Sequence, residues 1–292
     1  MVVGGSPNVS DFFPVLTSLD LQGVRRKLKH HDKLFRHVFE EQIDCRIENR
    51  KEGSIACNDL LDVLLDTQLG AKEQEHRQAL LSIFGDLFVA GTDTSSNTVE
   101  WAMAELLQNP VTMATLNYEL ASVVGPEREM EESDISQLPY LQAVVKETLR
   151  LHPPVPFRLP RRAQETVVFG NYLIPEGAKL LVNVWAISRD ETTWPDPLKF
   201  RPERFLERDI DFKGRDFELI PFGAGRRICP GMPLAYRMVH LMLGSLLHRF
   251  EWQLPEEEAK NGLDMSEKFG VTLAMAQHLK AIAIPIPGLH IK

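Results

Sequence analysis

Cysteine is scarce in this sequence, and its scarcity limits where the protein can work. The 292 residues include three cysteines, Cys45, Cys57 and Cys229. Three scattered cysteines are too few for the disulfide framework of a small secreted protein. The N-terminal residues also lack the basic cluster followed by an apolar stretch that marks a secretory signal. We therefore expect the protein to work in a reducing compartment.

Long apolar runs and an excess of positive charge are also missing. The two most apolar windows, residues 79–90 and 232–247, are interrupted by polar or charged side chains. Neither window reaches the roughly 18 to 20 apolar residues of a membrane-spanning helix. Lysine and arginine total 33 against 41 aspartates and glutamates, a formal net charge of −8. The sequence therefore predicts neither a spanning helix nor a nucleic-acid partner.

Signatures of zinc enzymes and serine hydrolases are absent as well. The nine histidines form no H-E-x-x-H motif and no cysteine–histidine cluster with zinc spacing, and no G-x-S-x-G motif is present. With 43% hydrophobic and 25% charged residues, the chain has the composition of a globular protein. Its length is compatible with one or two domains.

Helical periodicity dominates the first half of the chain, and short β-like runs separated by Gly, Pro and Asn follow over residues 155–184. Residues 194–222 show no period and predict an irregular meander. Residues 271–274 and 279–284 are candidate strands. The predicted helices cover residues 21–50, 59–67 (short and buried), 72–108, 111–124, 140–151 and 232–250.

The clearest chemical signal is a glycine-rich loop with one cysteine, F-G-A-G-R-R-I-C-P-G, at residues 222–231. A cysteine that faces a helix N-terminus and nearby backbone N–H groups suits an anionic metal ligand or a nucleophile, and Cys229 directly precedes the last helix. A dinucleotide-binding loop is disfavoured, because Ile228 occupies the third glycine position of G-x-G-x-x-G. Cys45 and Cys57 are interpreted as inert, buried small residues.

This loop and three further segments resemble the motifs of the cytochrome P450 family, in the family's order. Residues 90–95 resemble the oxygen-activation motif, residues 146–150 the E-x-x-R helix, and residues 202–205 the P-E-R-F segment. Together the segments cover most of the chain, which looks like plant microsomal members, especially the geraniol-hydroxylase-like group. The positions that match the haem-binding signature F-x-x-G-x-R-x-C-x-G are Phe222, Gly225, Arg227, Cys229 and Gly231.

The resemblance implies a fold and a location. We expect a mainly α fold with small β-sheets, that is, a partial cytochrome P450 fold with the central long helix, the E-x-x-R helix, the meander, the Cys-ligand loop and the final helix. Residues 1–292 would form one catalytic domain that lacks the family's N-terminal anchor and first helices. The cytosolic face of the endoplasmic reticulum membrane is the location expected for the family, and we expect this chain to have no anchor of its own.

The resemblance also implies a cofactor, haem b, with Cys229 as its axial thiolate ligand. A thiolate favours cleavage of the O–O bond. Arg161 and Arg227 would pair with the haem propionates, and Phe222 would cover the sulfur side of the ring. Gly91 would leave room for dioxygen. The full set of implied cofactor-binding residues is Gly91, Arg161, Phe222, Gly225, Arg227, Cys229 and Gly231.

Two further groups of residues receive roles by the same resemblance. Asp93 and Thr94 would relay protons during oxygen activation; alternatively, Asp93 is only solvated and Thr94 bonds back to a helix carbonyl. Glu147 and Arg150 lie three residues apart on one helix face and can form an ion pair. In the family this pair joins the P-E-R-F arginine, here Arg204, in a buried structural triad.

Apolar residues near the expected haem face predict a pocket for a small hydrophobic substrate. The same residues are equally compatible with ordinary core packing. By the same resemblance, three segments would line this pocket: the turn before residues 90–95, residues 155–159 and residues 269–273. The candidate pocket residues are Leu87, Ala90, Val155, Leu159 and Val271.

The resulting hypothesis is a haem-thiolate monooxygenase that hydroxylates a small, terpenoid-like hydrophobic substrate with dioxygen. Electrons would come from NADPH through NADPH–cytochrome P450 reductase, with Arg226 as a candidate docking contact. One alternative is a truncated, non-catalytic remnant with impaired haem binding. Another is an oxygen-independent isomerase or dehydratase on the same fold, against which the intact Asp93–Thr94 pair argues.

Overall fold

A computed structural model of the chain describes residues 9–53, 57–67, 72–270 and 272–287. The helices are α1 (Val9–Phe12), α2 (Val24–Lys51), α3 (Leu60–Asp66), α4 (Glu73–Gln108), α5 (Pro110–Val123), α6 (Pro139–Leu151), α7 (Val184–Ile187), α8 (Arg204–Glu207), α9 (Met232–Arg249) and α10 (Glu256–Asn261). Short 3-10 helices lie at Pro14–Leu19, Glu132–Gln137 and Gly225–Arg227. The strands are β1 (Arg161–Arg162), β2 (Val167–Phe169), β3 (Tyr172–Ile174), β4 (Lys179–Leu180), β5 (Phe250–Gln253), β6 (Glu267–Lys268), β7 (Ala274–Met275) and β8 (Ile282–Pro285).

The predicted fold class, mainly α with small sheets, is confirmed. Four antiparallel two-stranded sheets are described, which pair β1 with β4, β2 with β3, β5 with β8, and β6 with β7. Within the described ranges, no helix is both long enough and apolar enough to cross a membrane.

The chain divides into two compact units, Met1–Thr92 and Asp93–Lys292, and the division falls inside α4. In the first unit, α2, α3 and the beginning of α4 share a small core around Ile43, Leu80 and Leu81. The side chains of Arg46 and Arg50 hold α2 to α3 through ion pairs, including those to Asp62 at 3.0 and 2.9 Å.

Two predictions about burial in the first unit were wrong. The helix α3 is only half-buried: Leu61, Leu64 and Leu65 pack inward, but Leu60 and Val63 are exposed, because a seven-residue helix has one side against α2 and one against solvent. Cys45 and Cys57 are exposed rather than buried. In α2, Cys45 lies two residues after the core residue Ile43, and a two-residue step turns a side chain to the opposite helix face.

The second unit has a larger core formed where α5, α6 and α9 pack together with the end of α4. Ten of the 13 residues of α6 are buried, and Pro139 occupies its first turn, where a missing N–H costs nothing. The carboxylate of Glu119 accepts hydrogen bonds from the backbone N–H groups of Tyr140 and Leu141 at 2.8 and 2.9 Å. A carboxylate at the positive end of α6 stabilises the helix that carries Glu147 and Arg150.

The end of α6 is held to α4 by a buried histidine. The Nε2 atom of His152 lies 2.7 Å from a carboxylate oxygen of Glu105, and its ring stacks on Trp101 with the centroids 3.9 Å apart. These contacts hold the start of the segment that continues to residues 155–159 and then to β1.

Candidate functional site

The cysteine loop closes on itself directly before α9. The backbone N–H of Cys229 donates to the carbonyl oxygen of Phe222 at 2.9 Å, and that of Met232 donates to the Cys229 carbonyl oxygen at 3.3 Å. Cys229 is half-buried and lies three residues before Met232, the first residue of α9. A helix N-terminus presents unpaired N–H groups and partial positive charge there.

Two glycines of this loop adopt backbone conformations that favour glycine. Gly223 and Gly225 have φ angles of +81° and +67°, in the left-handed region that other residues rarely adopt. At Gly223 an added Cβ would lie 2.0 Å from the Arg158 guanidinium, so Arg158 would have to move to admit a side chain there. Gly231 is different: an added Cβ would lie in ordinary contact with the Cys229 sulfur, at 3.8 Å.

Arginine side chains surround the loop. Arg161 Nη2 donates to the carbonyl oxygen of Arg227 at 3.4 Å, which places these two predicted cofactor residues next to each other. Arg158 also reaches the loop, and sequence reasoning missed it. Burial lowers the pKa of the Arg158 guanidinium, the positive charge of Arg161 lowers it further, and the Cys229 sulfur opposes both effects. A cationic residue in the otherwise apolar run P-V-P-F-R-L-P was the available signal.

The residues of the loop fit the group that the resemblance implies. A sulfur donor suits a thiophilic metal ion, and adjacent arginines suit carboxylates. At Gly225, where an added Cβ would meet no described atom within 4 Å, the lack of a side chain allows a flat ligand to approach the backbone closely. The Phe222 ring is half-buried, packs on the main core and lies 5.3 Å from the Phe212 ring, centroid to centroid. The donor set and its surroundings therefore fit haem.

The predicted oxygen-activation residues lie in the middle of α4, which runs through them without a break. A Cβ added at Gly91 would meet no neighbouring atom of the described residues within 4 Å. Asp93 is exposed and Thr94 is half-buried. Two hydroxyls bond back to the carbonyl oxygens of these residues: Ser96 Oγ to Asp93 at 3.3 Å and Thr98 Oγ1 to Thr94 at 2.8 Å.

Glu147, Arg150 and Arg204 are in direct contact and buried. Arg150 donates to the Glu147 carboxylate through Nε and Nη2 at 2.7 and 2.9 Å, and Arg204 donates through Nε at 3.0 Å. The remaining N–H groups of both arginines donate to backbone carbonyl oxygens of the meander and, for Arg150, also to that of Ser188 at the end of α7. The acceptors are Ser188, Pro195, Asp196, Pro197 and Lys199.

Trp194 completes this cluster. Its side chain is fully buried, and the guanidinium carbons of Arg150, Arg204 and Arg208 lie 5.3, 6.0 and 5.5 Å from its ring centroid. Such cation–π contacts add to the ion pairs. The cluster therefore binds the meander to α6 at many backbone positions.

Two of the predicted pocket segments lie side by side. The backbone N–H of Leu273 donates to the Pro154 carbonyl oxygen at 2.8 Å, and the rings of Phe157 and Phe269 are 6.0 Å apart. The second of these segments also contacts α4, because Asn97 Nδ2 donates to Thr272 Oγ1 at 3.2 Å.

The pocket candidates themselves differ in exposure. Val155 is half-buried, whereas Leu159 is 71% exposed. Leu87 and Ala90 are exposed on α4. Val271 lies outside the described residues.

Comparisons with known proteins agree on one family. The family model described as Cytochrome P450 matches residues 1–279. A geraniol 8-hydroxylase from Swertia mussotii is 50% identical over 286 residues, which are 98% of this chain and 58% of the relative. A geraniol 8-hydroxylase from Catharanthus roseus is 52% identical over 282 residues, 97% of this chain and 57% of the relative. The chain thus spans a little under three fifths of the length of these relatives.

A solved structure of a zebrafish cytochrome P450 with progesterone has a similar fold. The match has a TM-score of 0.73 and 31% sequence identity, and it covers 91% of this chain and 60% of that one.

Proposed function

Because this chain belongs to the cytochrome P450 family, we propose that it forms the thiolate-ligand and oxygen-activation part of a monooxygenase. The reaction we propose is hydroxylation of a small, terpenoid-like hydrophobic substrate with dioxygen. The observation that carries this proposal is the Cys229 loop, with its half-buried cysteine just before α9 and arginines beside it.

The loop residues have separable tasks in haem binding. Haem b, when bound through a thiolate, supplies the activation of dioxygen, with electrons that originate from NADPH. Cys229 would provide the axial sulfur. Arg161 and Arg227 would bind propionates, while Gly225 and Gly231 keep side chains away from the ring. Phe222 is held by the core and would exclude water from the sulfur.

The residues of α4 would deliver protons. Asp93 is exposed and can take up a proton from water at its carboxylate. The adjacent Thr94 hydroxyl is half-buried and can pass a proton inward. Gly91 has no side chain to fill the space next to this pair. Glu147, Arg150 and Arg204 would act as structural residues, because their described hydrogen bonds are with each other, with the meander and with the Ser188 carbonyl oxygen.

The proposed substrate class rests on the relatives and on the apolar segments that meet at Phe157 and Phe269. Two relatives are named geraniol 8-hydroxylase, which supports a monoterpenoid alcohol. The proposed electron donor is NADPH–cytochrome P450 reductase, with the exposed Arg226 as a docking contact beside the loop. The proposed location is the cytosolic face of the endoplasmic reticulum membrane.

A carbon-monoxide difference spectrum tests the central step. The purified chain is incubated with haem, reduced and exposed to carbon monoxide. We expect a thiolate-type band in the wild-type chain and in Cys45→Ser, whose cysteine is exposed on α2, and loss of that band in Cys229→Ser. Incubation with the reductase, NADPH and geraniol, followed by product analysis, then tests for hydroxylation.

Two outcomes would contradict the proposal. A thiolate-type band that persists in Cys229→Ser would show that another residue binds the iron. Failure of the wild-type chain to take up haem would instead support the alternative of a non-catalytic remnant.

A further inference from the structure

Arg158 has an unusual backbone conformation for an arginine. Its φ angle is +54°, in the left-handed region that a residue with a side chain rarely adopts. The turn is closed by a hydrogen bond of 3.2 Å from the Arg158 N–H to the Val155 carbonyl oxygen. This turn places the Arg158 side chain on the cysteine loop, where its guanidinium lies against Gly223.

Only one nitrogen of the Arg158 guanidinium forms hydrogen bonds with described residues. Nη1 donates to the carbonyl oxygens of Ile220 and Pro221 at 3.2 and 3.4 Å. Nε and Nη2 make no hydrogen bond to any described residue. The N–H groups of Nε and Nη2 are parallel and form the side-on edge of the guanidinium, which can bind both oxygens of a carboxylate at once. Arg158 is thus held in place by one nitrogen with its bidentate edge unused.

The charge of Arg158 is also not balanced by a carboxylate. Within the described ranges, no aspartate or glutamate oxygen lies within 4.0 Å of its guanidinium. The neighbouring cation Arg161 instead lowers the pKa of Arg158. The side chain is half-buried. A half-buried cation beside a second cation is unfavourable unless an anion binds to it.

We infer that Arg158 is a carboxylate-binding residue of the Cys229 site, which binds its anion through Nε and Nη2. This inference rests on the proposed function and names a contact beyond those of Arg161 and Arg227. Two sources of the carboxylate are compatible with the geometry: a haem propionate and the acid group of a substrate. The first makes Arg158 a cofactor-positioning residue, and the second makes it a specificity residue.

Binding of metal-free protoporphyrin IX, followed by its fluorescence, tests the first source without any iron–sulfur bond. We compare protoporphyrin IX with its dimethyl ester, which lacks the carboxylates. Arg158→Gln is expected to weaken protoporphyrin IX binding about tenfold and to leave the ester unchanged. Arg158→Lys should restore part of the affinity, because it keeps the charge but not the bidentate edge. The matched control is Arg162→Gln, which removes an exposed arginine of β1.

The second source is tested on the haem-loaded chain with citronellic acid and citronellol as probes. These probes have the same carbon skeleton, but citronellic acid carries a carboxylic acid where citronellol carries an alcohol. Binding is followed by the shift of the haem absorbance band. If Arg158 binds the substrate, Arg158→Gln weakens citronellic acid binding about tenfold while citronellol binding is unchanged.

The inference is overturned if Arg158→Gln binds protoporphyrin IX and citronellic acid as tightly as Arg162→Gln does. It is also overturned if the wild-type chain binds protoporphyrin IX and its ester equally and does not bind citronellic acid. Near-UV circular dichroism of both variants verifies that they are folded. Cys229→Ser separates this inference from the proposed function. This variant should lose the thiolate-type band yet retain Arg158-dependent protoporphyrin binding. The band tests the proposed function and protoporphyrin binding tests the role of Arg158, so each can be refuted without the other.

Discussion

Replacing Glu147 with glutamine removes the one carboxylate that faces the guanidinium groups of Arg150 and Arg204 among the described residues. Glutamine has nearly the same shape, so the change removes charge with little change in volume. The Glu147 carboxylate accepts two hydrogen bonds from Arg150, one from Arg204 and one from the backbone N–H of Arg201, at 2.7 to 3.0 Å. The side-chain amide of glutamine can replace only part of this set.

The expected cost follows from burial. The side chains of Glu147 and Arg150 are fully buried and that of Arg204 is 4% exposed, so the two cations cannot turn to water when the carboxylate is lost. Removing one partner of a buried ion pair costs about 3 to 5 kcal/mol, a large part of the roughly 5 to 15 kcal/mol that stabilises a folded domain. We therefore expect Glu147→Gln to lose about 3 to 5 kcal/mol of unfolding free energy.

Urea unfolding, followed by tryptophan fluorescence and far-UV circular dichroism, measures this loss. Glu207→Gln is the matched control, because Glu207 pairs with Arg201 on the surface and such pairs contribute about 0 to 1 kcal/mol. If Glu147→Gln and Glu207→Gln lose the same small amount, the buried carboxylate does not hold the meander and the structural role of the triad is wrong.

Two further predictions concern protonation and backbone space. Burial lowers the pKa of His240 to about 4 from the ordinary 6.5, so the unfolded chain binds more protons between these values and stability falls as the pH falls. Between pH 7 and pH 5 we expect His240 to account for about 2 kcal/mol of lost stability, and urea unfolding of His240→Leu should lack this component; an unchanged pH dependence would contradict it. Gly214→Ala places a Cβ 2.9 Å from the Gly223 carbonyl oxygen at φ +80°, whereas Gly53→Ala has φ +81° and no described neighbour within 4 Å. Both should lose about 1 kcal/mol from the left-handed backbone, but only Gly214→Ala should weaken haem uptake in an absorbance titration, and equal uptake would refute the steric argument.

The longer helices were predicted from the sequence to within a few residues. Periodicity placed α2, α4 and α6, and Asn109-Pro110 marked the boundary between α4 and α5, because helix formation depends on residues within a few positions of each other. Strand β5 was missed, and α9 was predicted one residue too long. Phe250 begins β5 and pairs with Pro285, 35 residues further along the chain, and such a partner leaves no local pattern.

In the candidate site, too, local features were predicted from the sequence and contacts between distant residues were not. The sequence motif pointed to Cys229 as the proposed ligand and to the glycines of its loop, because all of them lie within ten consecutive residues. The hydrogen bond from Arg161 to the Arg227 carbonyl oxygen joins residues 66 positions apart and was not predicted, since the family resemblance assigned both arginines only to haem propionates. Arg158 was overlooked, because its role depends on a left-handed turn and on the missing side chain of Gly223.

By itself, the sequence determined the family, the mainly helical fold class and the residues of the cysteine loop, since each of these is written in short segments. Only the tertiary structure decided what those segments contact. Glu147 faces two buried arginines whose other N–H groups bind the meander, and Cys45 and Cys57 face solvent. Arg158 lies on the cysteine loop with the Nε–Nη2 edge of its guanidinium free of hydrogen bonds to described residues. The physical reason is that burial, ion pairing and desolvation depend on atoms from distant parts of the chain, and their positions are set only when the elements pack.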